Sequence, residues 1–362
     1  MNAADSPRKK LLLVNLSRDW GGGENWFMMV SQALMAQGYN MQLMVRPDSA
    51  LAKKAGQKGI PTTQLKATTL SLFNPVKIFR LLRLLRRTRP DVVLLNASHE
   101  LKFVGLLAKM AGTPHIVFRR GLSFPPKANL VNRWYFRHVV SGFLTDSNKP
   151  FERFRASFPP VATYPHLAIH NGIPMEKWPL ADVPKEAFLI GLSARLSPEK
   201  GVDRALEIME LLHRQGHPAR LHVLGEGPQR PELEAMIRQK ELESSVFLLG
   251  FIEDVQKELS KCQVFLFTSW GEGTSISVIE AMALGLPCVA YEAPSMGELI
   301  IDGKTGFLIK AGNKEKMAER ILELLENEPL RQEMSRQARQ RAENHFSFTR
   351  VTHQLTHWLD SL

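Results

Sequence analysis

Residues 195–201 (RLSPEKG) place two cations, Arg195 and Lys200, directly after an apolar run that predicts a buried strand at residues 188–194. An arginine presents a planar fork to phosphate oxygens, and a lysine adds a compact point charge. In open α/β sheets, ligands sit beyond the carboxyl ends of the strands. We therefore expect Arg195 and Lys200 to bind phosphate, the alternative being solvated charge at a helix start. Ser197 is expected to cap the helix that follows.

A second segment, residues 269–287 (SWGEGTSISVIEAMALGLP), carries Glu272 and Glu280 eight residues apart around a predicted helix start. The loop at Glu272 offers free backbone N–H groups, whereas Glu280 falls inside an apolar helical run and is expected to be buried or nearly so. A buried carboxylate needs hydrogen-bond donors, and the hydroxyls of a sugar or ribose are suitable ones. The alternative is one glutamate that caps a helix and another at the edge of the core.

Three consecutive glycines, Gly21, Gly22 and Gly23, precede Glu24 between a predicted strand at residues 11–16 and a predicted helix. Glycine lets the backbone approach a ligand closely, and a helix N-terminus presents free N–H groups with a partial positive charge. The segment predicts a phosphate contact, unless the glycines serve only a tight turn.

The sequence contains no Asp-x-Asp, the carboxylate pair that would hold Mg²⁺ or Mn²⁺ on a diphosphate. We therefore expect no metal and no other cofactor. The charge of a departing phosphate would be balanced by cations and helix dipoles, whose effect is large in a dry site. Arg195 and Lys200 are the candidates for this role.

Short apolar runs alternate with helical patterns along the whole chain, which predicts parallel sheets built from βαβ units. A length of 362 residues suits two domains. We predict an α/β protein with two Rossmann-like domains that face each other across a cleft. The predicted domains span residues 1–173 and 174–345, and a C-terminal helix at residues 346–362 returns toward the first domain. The predicted strands lie at residues 11–16, 41–45, 91–95, 116–118, 142–145, 188–194, 221–224, 246–249, 264–267 and 288–291.

Positive charge is concentrated in the first half of the chain. Residues 1–173 hold 25 Lys and Arg against 8 Asp and Glu, whereas residues 174–362 hold 22 against 28. This asymmetry predicts an anionic partner for the first half: a nucleic acid, a phospholipid or a phosphorylated glycolipid. The phosphate-binding motifs lie mainly in the acidic half, and the basic half lacks an RNA-binding aromatic motif, which argues against nucleic acid.

The two cysteines form no C-x-x-C pair and no disulfide framework, which indicates a reducing compartment. No stretch approaches the roughly 20 apolar residues that span a bilayer. The apolar run near the N-terminus is too short for a secretory signal. We expect a cytoplasmic protein that is soluble or peripheral to a membrane.

Residues 75–87 predict a basic amphipathic helix. Basic residues recur near helical spacing among apolar partners: Lys77, Arg80, Arg83 and Arg87 with Val76, Phe79, Leu82 and Leu85. Such helices bind membrane surfaces, at about 1 kcal/mol per basic residue close to anionic lipid. Together with Arg119 and Arg120, the helix favours contact with the cytoplasmic face of the inner membrane. An ordinary surface helix packed through its leucines is the alternative.

Several spaced motifs together resemble glycosyltransferase family 4, which has the GT-B fold. They are Gly-Gly-x-Glu near the N-terminus, Arg-x4-Lys-Gly at residue 195, Gly-Glu-Gly-Pro at 225, Gly-Phe at 250, Glu-x7-Glu at 272 and Gly-Lys-Thr-Gly-Phe at 303. The resemblance covers nearly the whole chain. It implies a retaining, metal-independent enzyme that transfers a sugar, most often a hexose, from a nucleotide-diphosphate sugar, with a UDP-sugar favoured.

The resemblance also implies roles for single residues, most of them in the nucleotide-sugar domain, residues 174–345. Arg195 and Lys200 would neutralise the donor diphosphate. Glu272 would hold hydroxyls of the transferred sugar, and Glu280 those of the ribose. The remaining donor contacts would come from Phe251 and Ile252 at the base and from Gly22, Gly23, Gly273, Thr274, Ser275 and Ile276.

One position departs from the family pattern in the first domain, which the resemblance makes the acceptor-binding domain. Many members carry a histidine where this chain has Arg120, before a glycine that follows a strand. Arg120 suits an acceptor phosphate or carboxylate. His99 and Asp19 are the other candidates for the acceptor-side role, and the sequence leaves the choice open. The implied acceptor is an anionic glycolipid, a lipopolysaccharide or another saccharide.

Three other functions fit parts of the sequence. A GT-B epimerase or a glycogen-synthase-type polymerase would share the motifs, but a polymerase does not need so basic a first half. Outside enzymes, the alternative is a Rossmann protein that binds a membrane or nucleic acid without catalysis.

Overall fold

The computed structural model describes residues 8–120, 127–181, 188–269 and 275–362. The chain forms two compact units. The first comprises Met1–Asn171 together with Val351–Leu362, and the second comprises Gly172–Arg350.

The first unit is built on a parallel sheet of seven strands, in the order β3-β2-β1-β4-β5-β6-β7. Its strands are β1 Lys10–Asn15, β2 Asn40–Val45, β3 Thr62–Gln64, β4 Val92–Leu95, β5 His115–Arg120, β6 Gly142–Thr145 and β7 His166–Ala168. Its helices are α1 Gly22–Ala36, α2 Ala50–Gln57, α3 Pro75–Thr88, α4 Ser98–Glu100, α5 Leu106–Met110, α6 Leu130–His138 and α7 Asn148–Ser157. A π-helical turn, Leu101–Gly105, joins α4 to α5.

The helices of the first unit form two layers, one on each face of the sheet. One buried cluster joins Leu12 of β1 to Leu81 of α3, Leu107 of α5, Phe136 of α6 and Phe154 of α7. Because alternate strand residues point to opposite faces, these four helices cover the same face. Helices α1 and α2 cover the other face, since right-handed crossovers toward β3 run in the opposite direction across the sheet.

The second unit is built on a parallel sheet of six strands, in the order β10-β9-β8-β11-β12-β13. Its strands are β8 Leu189–Ser193, β9 Arg220–Leu224, β10 Val246–Gly250, β11 Val264–Phe267, β12 Cys288–Tyr291 and β13 Gly306–Ile309. Its helices are α8 Val202–Arg214, α9 Arg230–Gln239, α10 Val255–Leu259, α11 Ile276–Ala283, α12 Met296–Leu299, α13 Lys314–Glu326 and α14 Glu328–Phe346.

The last helix, α15 Phe348–Ser361, lies mostly in the first unit. Its Val351, Leu355 and Leu359 are buried. Lys9 Nζ donates to the carbonyl oxygen of Leu359 at 3.0 Å, and Tyr39 Oη donates to a carboxylate oxygen of Asp360 at 2.8 Å. The first unit is therefore built from two separate parts of the chain.

The predicted fold class is confirmed, because both units are parallel α/β sheets with helices on their faces. One local prediction is wrong. Ser197 makes no side-chain cap; its hydroxyl instead donates to Glu199 Oε1 at 2.6 Å. Residues Pro198–Lys200 form a 3-10 turn, and helix α8 begins only after Gly201, which has a left-handed φ of 67°.

Helix α3 occupies the place of the predicted basic amphipathic helix. The helix forms, with Pro75 in its first turn and Asn74 Oδ1 accepting from the Lys77 N–H at 3.0 Å. Leu81 and Leu85 are buried, whereas Val76 and Phe79, two of the predicted apolar partners of the basic residues, are exposed. Among the described residues, no helix combines the length and apolar character needed to cross a bilayer.

Candidate functional site

The loop after β8 is held tightly against the loop after the neighbouring strand β11. Gly201 lies so close that a Cβ atom on it would be 2.5 Å from the carbonyl oxygen of Thr268. Thr268 Oγ1 donates to the carbonyl oxygen of Lys200 at 3.3 Å, and Ser269 Oγ donates to that of Glu199 at 3.0 Å. Lys200 is thus fixed beside the segment that leads directly into residues 270–274.

Lys200 and Arg195 form a positively charged pair on this loop. Burial lowers the pKa of Lys200; the nearby Glu199 raises it, and Arg195 lowers it further by repulsion. Arg195 is exposed, whereas Lys200 is partly buried. Two cations that repel each other at the carboxyl edge of a sheet favour the binding of an anion between or beside them.

The loop after β9, which neighbours β8 on the side away from β11, packs against the Arg195 loop. The Leu196 N–H donates to the carbonyl oxygen of Glu226 at 3.0 Å, and the Gln229 N–H donates back to that of Leu196 at 3.1 Å. Gly225 has a φ of 144°, and a Cβ there would lie 1.9 Å from the carbonyl oxygen of Ala194. Glycine is required here because the two loops approach at backbone distance.

The segment that carries the two predicted glutamates is described only in part. Glu272, Gly273 and Thr274 lie outside the described residues. Ser275 is buried and stands at the N-cap of α11, with its Oγ 3.0 Å from Ser277 Oγ, and Ile276 is partly buried. The N-terminus of α11 follows the β11 strand, as a site for anionic groups requires.

Glu280 lies one turn into α11 and is partly buried. Burial alone raises the pKa of its carboxyl group to about 7. Among the described residues, no positive charge offsets the effect of burial on this carboxyl group. Hydroxyl donors of a ligand would satisfy it and return its pKa toward the usual range.

Phe251 and Ile252 directly follow β10, the edge strand of the second sheet. Phe251 is 79% exposed, while Ile252 packs against the core of the second unit. An exposed aromatic ring at the carboxyl end of a strand is available for stacking on a flat ligand ring.

In the first unit, the N-terminus of α1 lies beside the end of β4. Helix α1 begins at Gly22, after an extended Gly21 that contributes no side-chain cap. A Cβ on Gly23 would lie 3.7 Å from Asn96 Nδ2. Glu24 is buried and accepts from Asn15 Nδ2 at 3.2 Å. The helix start that was predicted to contact phosphate is therefore fixed to the ends of β1 and β4.

Glu100 connects the same strand ends, and the sequence reasoning gave it no role. Its carboxylate accepts from the backbone N–H groups of Leu16 at 2.6 Å, Asn96 at 2.7 Å and Ala97 at 2.9 Å. These bonds join the chain leaving β1 to the chain leaving β4, on which His99 lies. In the sequence, Glu100 only follows His99 directly, and nothing there marks its contacts with Leu16 and Asn96.

Arg119 and Arg120 end β5 but face different surroundings. Arg119 is buried, with Nη1 donating to Asn96 Oδ1 at 3.1 Å and its guanidinium 4.2 Å from the ring centre of Trp26. Burial lowers its pKa to about 10, and Asp146 and Glu24 oppose that shift. Arg119 therefore belongs to the interior. The expectation that it adds to the basic surface is wrong. Arg120 is partly buried, and burial lowers its pKa.

His99 and Asp19 occupy different environments at this edge. His99 is partly buried, and its pKa is lowered first by burial and then by the charge of Arg46. It is therefore neutral near pH 7. Asp19 is exposed. Of the three acceptor-side candidates, Arg120 and His99 lie at ends of adjacent strands, β5 and β4.

Within the described ranges, no cluster of three or more His, Cys, Asp or Glu side chains has an arrangement that could hold a metal ion. Cys262 and Cys288 are both buried and free.

Two family models match most of the chain. The model described as glycosyl transferase 4-like domain matches residues 21–161, and the model described as glycosyl transferases group 1 matches residues 180–341. Each falls within one unit of the structure, and together with the topology they decide the family.

The chain belongs to the GT-B glycosyltransferases and is of the family 4-like type.

A solved structure supports the fold of this glycosyltransferase. HepE of Anabaena, determined in complex with UDP, superposes with a TM-score of 0.85 at 20% identity, covering 98% of this chain and 100% of that one. This likeness establishes the GT-B fold.

Two curated relatives align with part of the glycosyltransferase. Poly(ribitol-phosphate) alpha-N-acetylglucosaminyltransferase of Staphylococcus aureus is 34% identical over 175 residues, which are 48% of this chain and 34% of the relative. N-acetylgalactosamine-N,N'-diacetylbacillosaminyl-diphospho-undecaprenol 4-alpha-N-acetylgalactosaminyltransferase of Campylobacter jejuni is 33% identical over 159 residues, covering 44% of this chain and 42% of the relative. The aligned regions thus span less than half of either relative.

Proposed function

We propose that this glycosyltransferase moves a sugar from a nucleotide-diphosphate sugar to an anionic glycolipid or saccharide acceptor, with retention of anomeric configuration and without a metal ion. The observation that carries this proposal is the Arg195–Lys200 loop. Gly201 fixes it against Thr268, beside the segment that contains Glu272.

The second unit is the proposed donor site. Arg195 and Lys200 balance the charge of the diphosphate, and the N-terminus of α11 at Ser275 adds its dipole. Glu280 accepts hydrogen bonds from the ribose hydroxyls, which explains a carboxylate that burial leaves with a pKa of about 7. Phe251 lies beside the base, and Glu272 holds hydroxyls of the transferred sugar.

A UDP-sugar is the proposed donor. The structure of HepE contains UDP, and both curated relatives are named as transferases of an N-acetylated hexosamine. These names support a hexosyl-type donor carried by UDP.

Transfer proceeds in this proposal without metal chemistry. As the bond between the sugar and the diphosphate breaks, negative charge grows on the departing phosphate. Arg195 and Lys200 stabilise that charge because they are already oriented, so little reorganisation is needed. By resemblance to the family, the same phosphate accepts the proton of the acceptor hydroxyl on the same face of the sugar, which retains the configuration.

The first unit is the proposed acceptor site. Its sheet edge carries Arg120, neutral His99 and the nearby Arg46. An arginine at this edge suits a phosphate or carboxylate on the acceptor. The relatives act on a polyol phosphate and on a diphospho-undecaprenol-linked sugar by name, which supports an anionic acceptor. A lipid-linked acceptor would bring the enzyme to the cytoplasmic face of the inner membrane.

A panel of UDP, GDP, ADP and CMP in a thermal-shift assay tests the donor site first. A nucleotide at about 100 times its dissociation constant adds about 2.7 kcal/mol to the free energy of unfolding. We expect UDP to give the largest shift, with and without EDTA. No shift with any nucleotide would favour a non-catalytic binding protein.

Transfer is tested with radiolabelled UDP- and GDP-sugars and a membrane extract. Label that moves into the lipid or polysaccharide fraction in the presence of EDTA supports the proposal. Activity that disappears with EDTA and returns only with added metal contradicts the metal-free mechanism. Conversion of the sugar without transfer would instead identify an epimerase, and long homopolymers would identify a polymerase.

A further inference from the structure

We propose that the first unit inserts two apolar protrusions into an anionic phospholipid bilayer, beside the edge of the sheet that binds the acceptor. This inference rests on the proposed function, because it specifies the membrane in which the acceptor would be anchored. The first protrusion, the α3 tip, consists of Leu70, Phe73, Val76 and Phe79. The second, the α6 tip, consists of Leu130, Val131 and Trp134.

Both tips expose large apolar side chains to an unusual degree. Phe73 is 84% exposed, Phe79 68% and Leu130 85%. A soluble surface scatters such residues singly, whereas here they cluster at consecutive helical turns. The 3-10 turn Thr69–Phe73 and the Asn74 cap give the α3 tip a defined shape.

The two tips lie at the same edge of the first sheet. Helix α3 connects the end of β3 to the start of β4, so its first turn, at Pro75, lies at the carboxyl edge. Helix α6 connects the end of β5 to the start of β6, so Leu130 lies at that edge too. Both helices belong to the same layer, and Tyr135 Oη donates to the carbonyl oxygen of Lys102 between them at 3.2 Å.

The charge of this helix layer is strongly positive. Helix α3 alone contains five Lys and Arg and no acidic residue. Its Arg80, Arg83, Arg86 and Arg87 are exposed, and the described part of the chain supplies none of them with an ion pair. Each basic residue near an anionic lipid surface strengthens binding about fivefold.

An anionic bilayer accounts for both features together. Apolar side chains at the tips reach the acyl boundary, while the arginines behind them meet lipid phosphates. Because Arg120 and His99 lie at the same carboxyl edge, an acceptor anchored in that bilayer would reach them from the side of the inserted tips.

Single-cysteine labelling tests the insertion. Cys262 and Cys288 are buried, so a cysteine placed at Phe79 or Leu130 is the accessible labelling site. Met110 supplies a matched control, because it is 58% exposed and apolar but ends α5 at the opposite edge of the same layer. Each full-length variant carries an environment-sensitive NBD dye and is mixed with vesicles of phosphatidylcholine, with or without phosphatidylglycerol.

We expect NBD at positions 79 and 130 to shift to the blue and to be quenched by spin-labelled lipid, only with phosphatidylglycerol vesicles. NBD at position 110 should not respond. No response at 79 and 130, or an equal response at 110, overturns the proposal. A shift that depends on protein concentration without vesicles would assign the tips to self-association and also overturns it.

The double variant Phe73→Ser/Phe79→Ser gives an independent measurement by vesicle flotation. Removing each phenylalanine should weaken binding at least roughly tenfold, whereas Met110→Ser should not change it. Unchanged flotation of the double variant contradicts insertion. The thermal shift with UDP is measured on the same samples. A wild-type protein that does not respond to UDP contradicts the proposed function, whereas a protein that responds to UDP but does not float with vesicles contradicts only this inference.

Discussion

Gly201 and Thr268 approach each other in a way that only glycine permits. The Cβ of any other residue would lie 2.5 Å from the Thr268 carbonyl oxygen, and the backbone of Gly201 is left-handed. The contact fixes the charged loop after β8 to the loop after β11. In this way, the backbone at one glycine determines where the Lys200 side chain begins.

The variant Gly201→Ala should therefore lose both stability and nucleotide binding. A left-handed alanine costs about 1–2 kcal/mol, and the clash with Thr268 adds to it. Gly303→Ala is the control, because Gly303 has a similar φ of 71° but open space around its Cβ position. Thermal unfolding and UDP titration of both variants check this. Equal effects of the two substitutions would contradict the importance of the contact.

Replacing Arg195 or Lys200 by alanine should reduce the turnover number by about 10²–10³, as removal of one stabilising donor does elsewhere. The loss should appear with and without EDTA. Lys304→Ala, at an exposed turn before β13, is the control and should keep full turnover. Transfer from a radiolabelled UDP-sugar measures the effect. A loss below about threefold would remove both residues from the proposed mechanism.

The variant Glu272→Gln should lose most transfer while it keeps its affinity for UDP. Its carboxylate is assigned to the sugar hydroxyls, which UDP lacks. The exposed Glu253→Gln serves as the control. Calorimetric binding of UDP and the transfer rate are measured together. Weaker UDP binding with unchanged turnover would be the opposite of this assignment.

Glu280 should make the stability of the unliganded protein depend on pH. Burial raises its pKa to about 7, above the ordinary value of 4.5, so the folded protein keeps a proton that the unfolded chain releases. The free energy of unfolding should therefore decrease as the pH rises from about 4.5 to about 7. Glu280→Gln should flatten this dependence in chemical denaturation at several pH values. An identical pH profile in the variant would rule out an elevated pKa.

Helix α15 should stabilise the first unit. Leu355 is fully buried, and Leu355→Ala is expected to cost about 2–5 kcal/mol. Hydrogen exchange should become faster in β1 and β2, with little change in the second unit. His353→Ala, at an exposed position of the same helix, should leave exchange unchanged. Faster exchange confined to the second unit would contradict the assignment of this helix.

Much of the fold was accessible from the sequence, because buried parallel strands are continuous apolar runs. Strands β6, β11 and β12 have the predicted bounds, and helix α3 begins at the predicted Pro75. Strands β3, β7 and β13 were not predicted. Strands β3 and β7 have three residues each with partly exposed side chains, which leave no apolar pattern, whereas β13 has a short apolar run that the prediction passed over. Helix α6 was also missed, because its first turn is apolar on the outside.

The site could be predicted less completely, because residue type does not report orientation. Arg119 and Arg120 are the same residue type at neighbouring positions. Because side chains alternate along β5, Arg119 lies in the interior against Trp26. Glu100 accepts from the backbone N–H group of Leu16, which lies 84 residues earlier in the chain, and from that of the nearby Asn96. The sequence carries no signal for such a pairing. Ser197 had the right type for a cap, but the left-handed Gly201 delays the helix.

The first unit has a particular consequence for synthesis, since Val351–Leu362 completes it. A ribosome makes all of Gly172–Arg350 between the two parts, and at about 5–20 residues per second this takes on the order of 10–40 s. During that time, the apolar side chains of the first unit that Leu355 and Leu359 pack against stay exposed to solvent. The second unit, which is continuous in the chain, can finish folding first, whereas the first unit cannot complete its fold until its last residues are made.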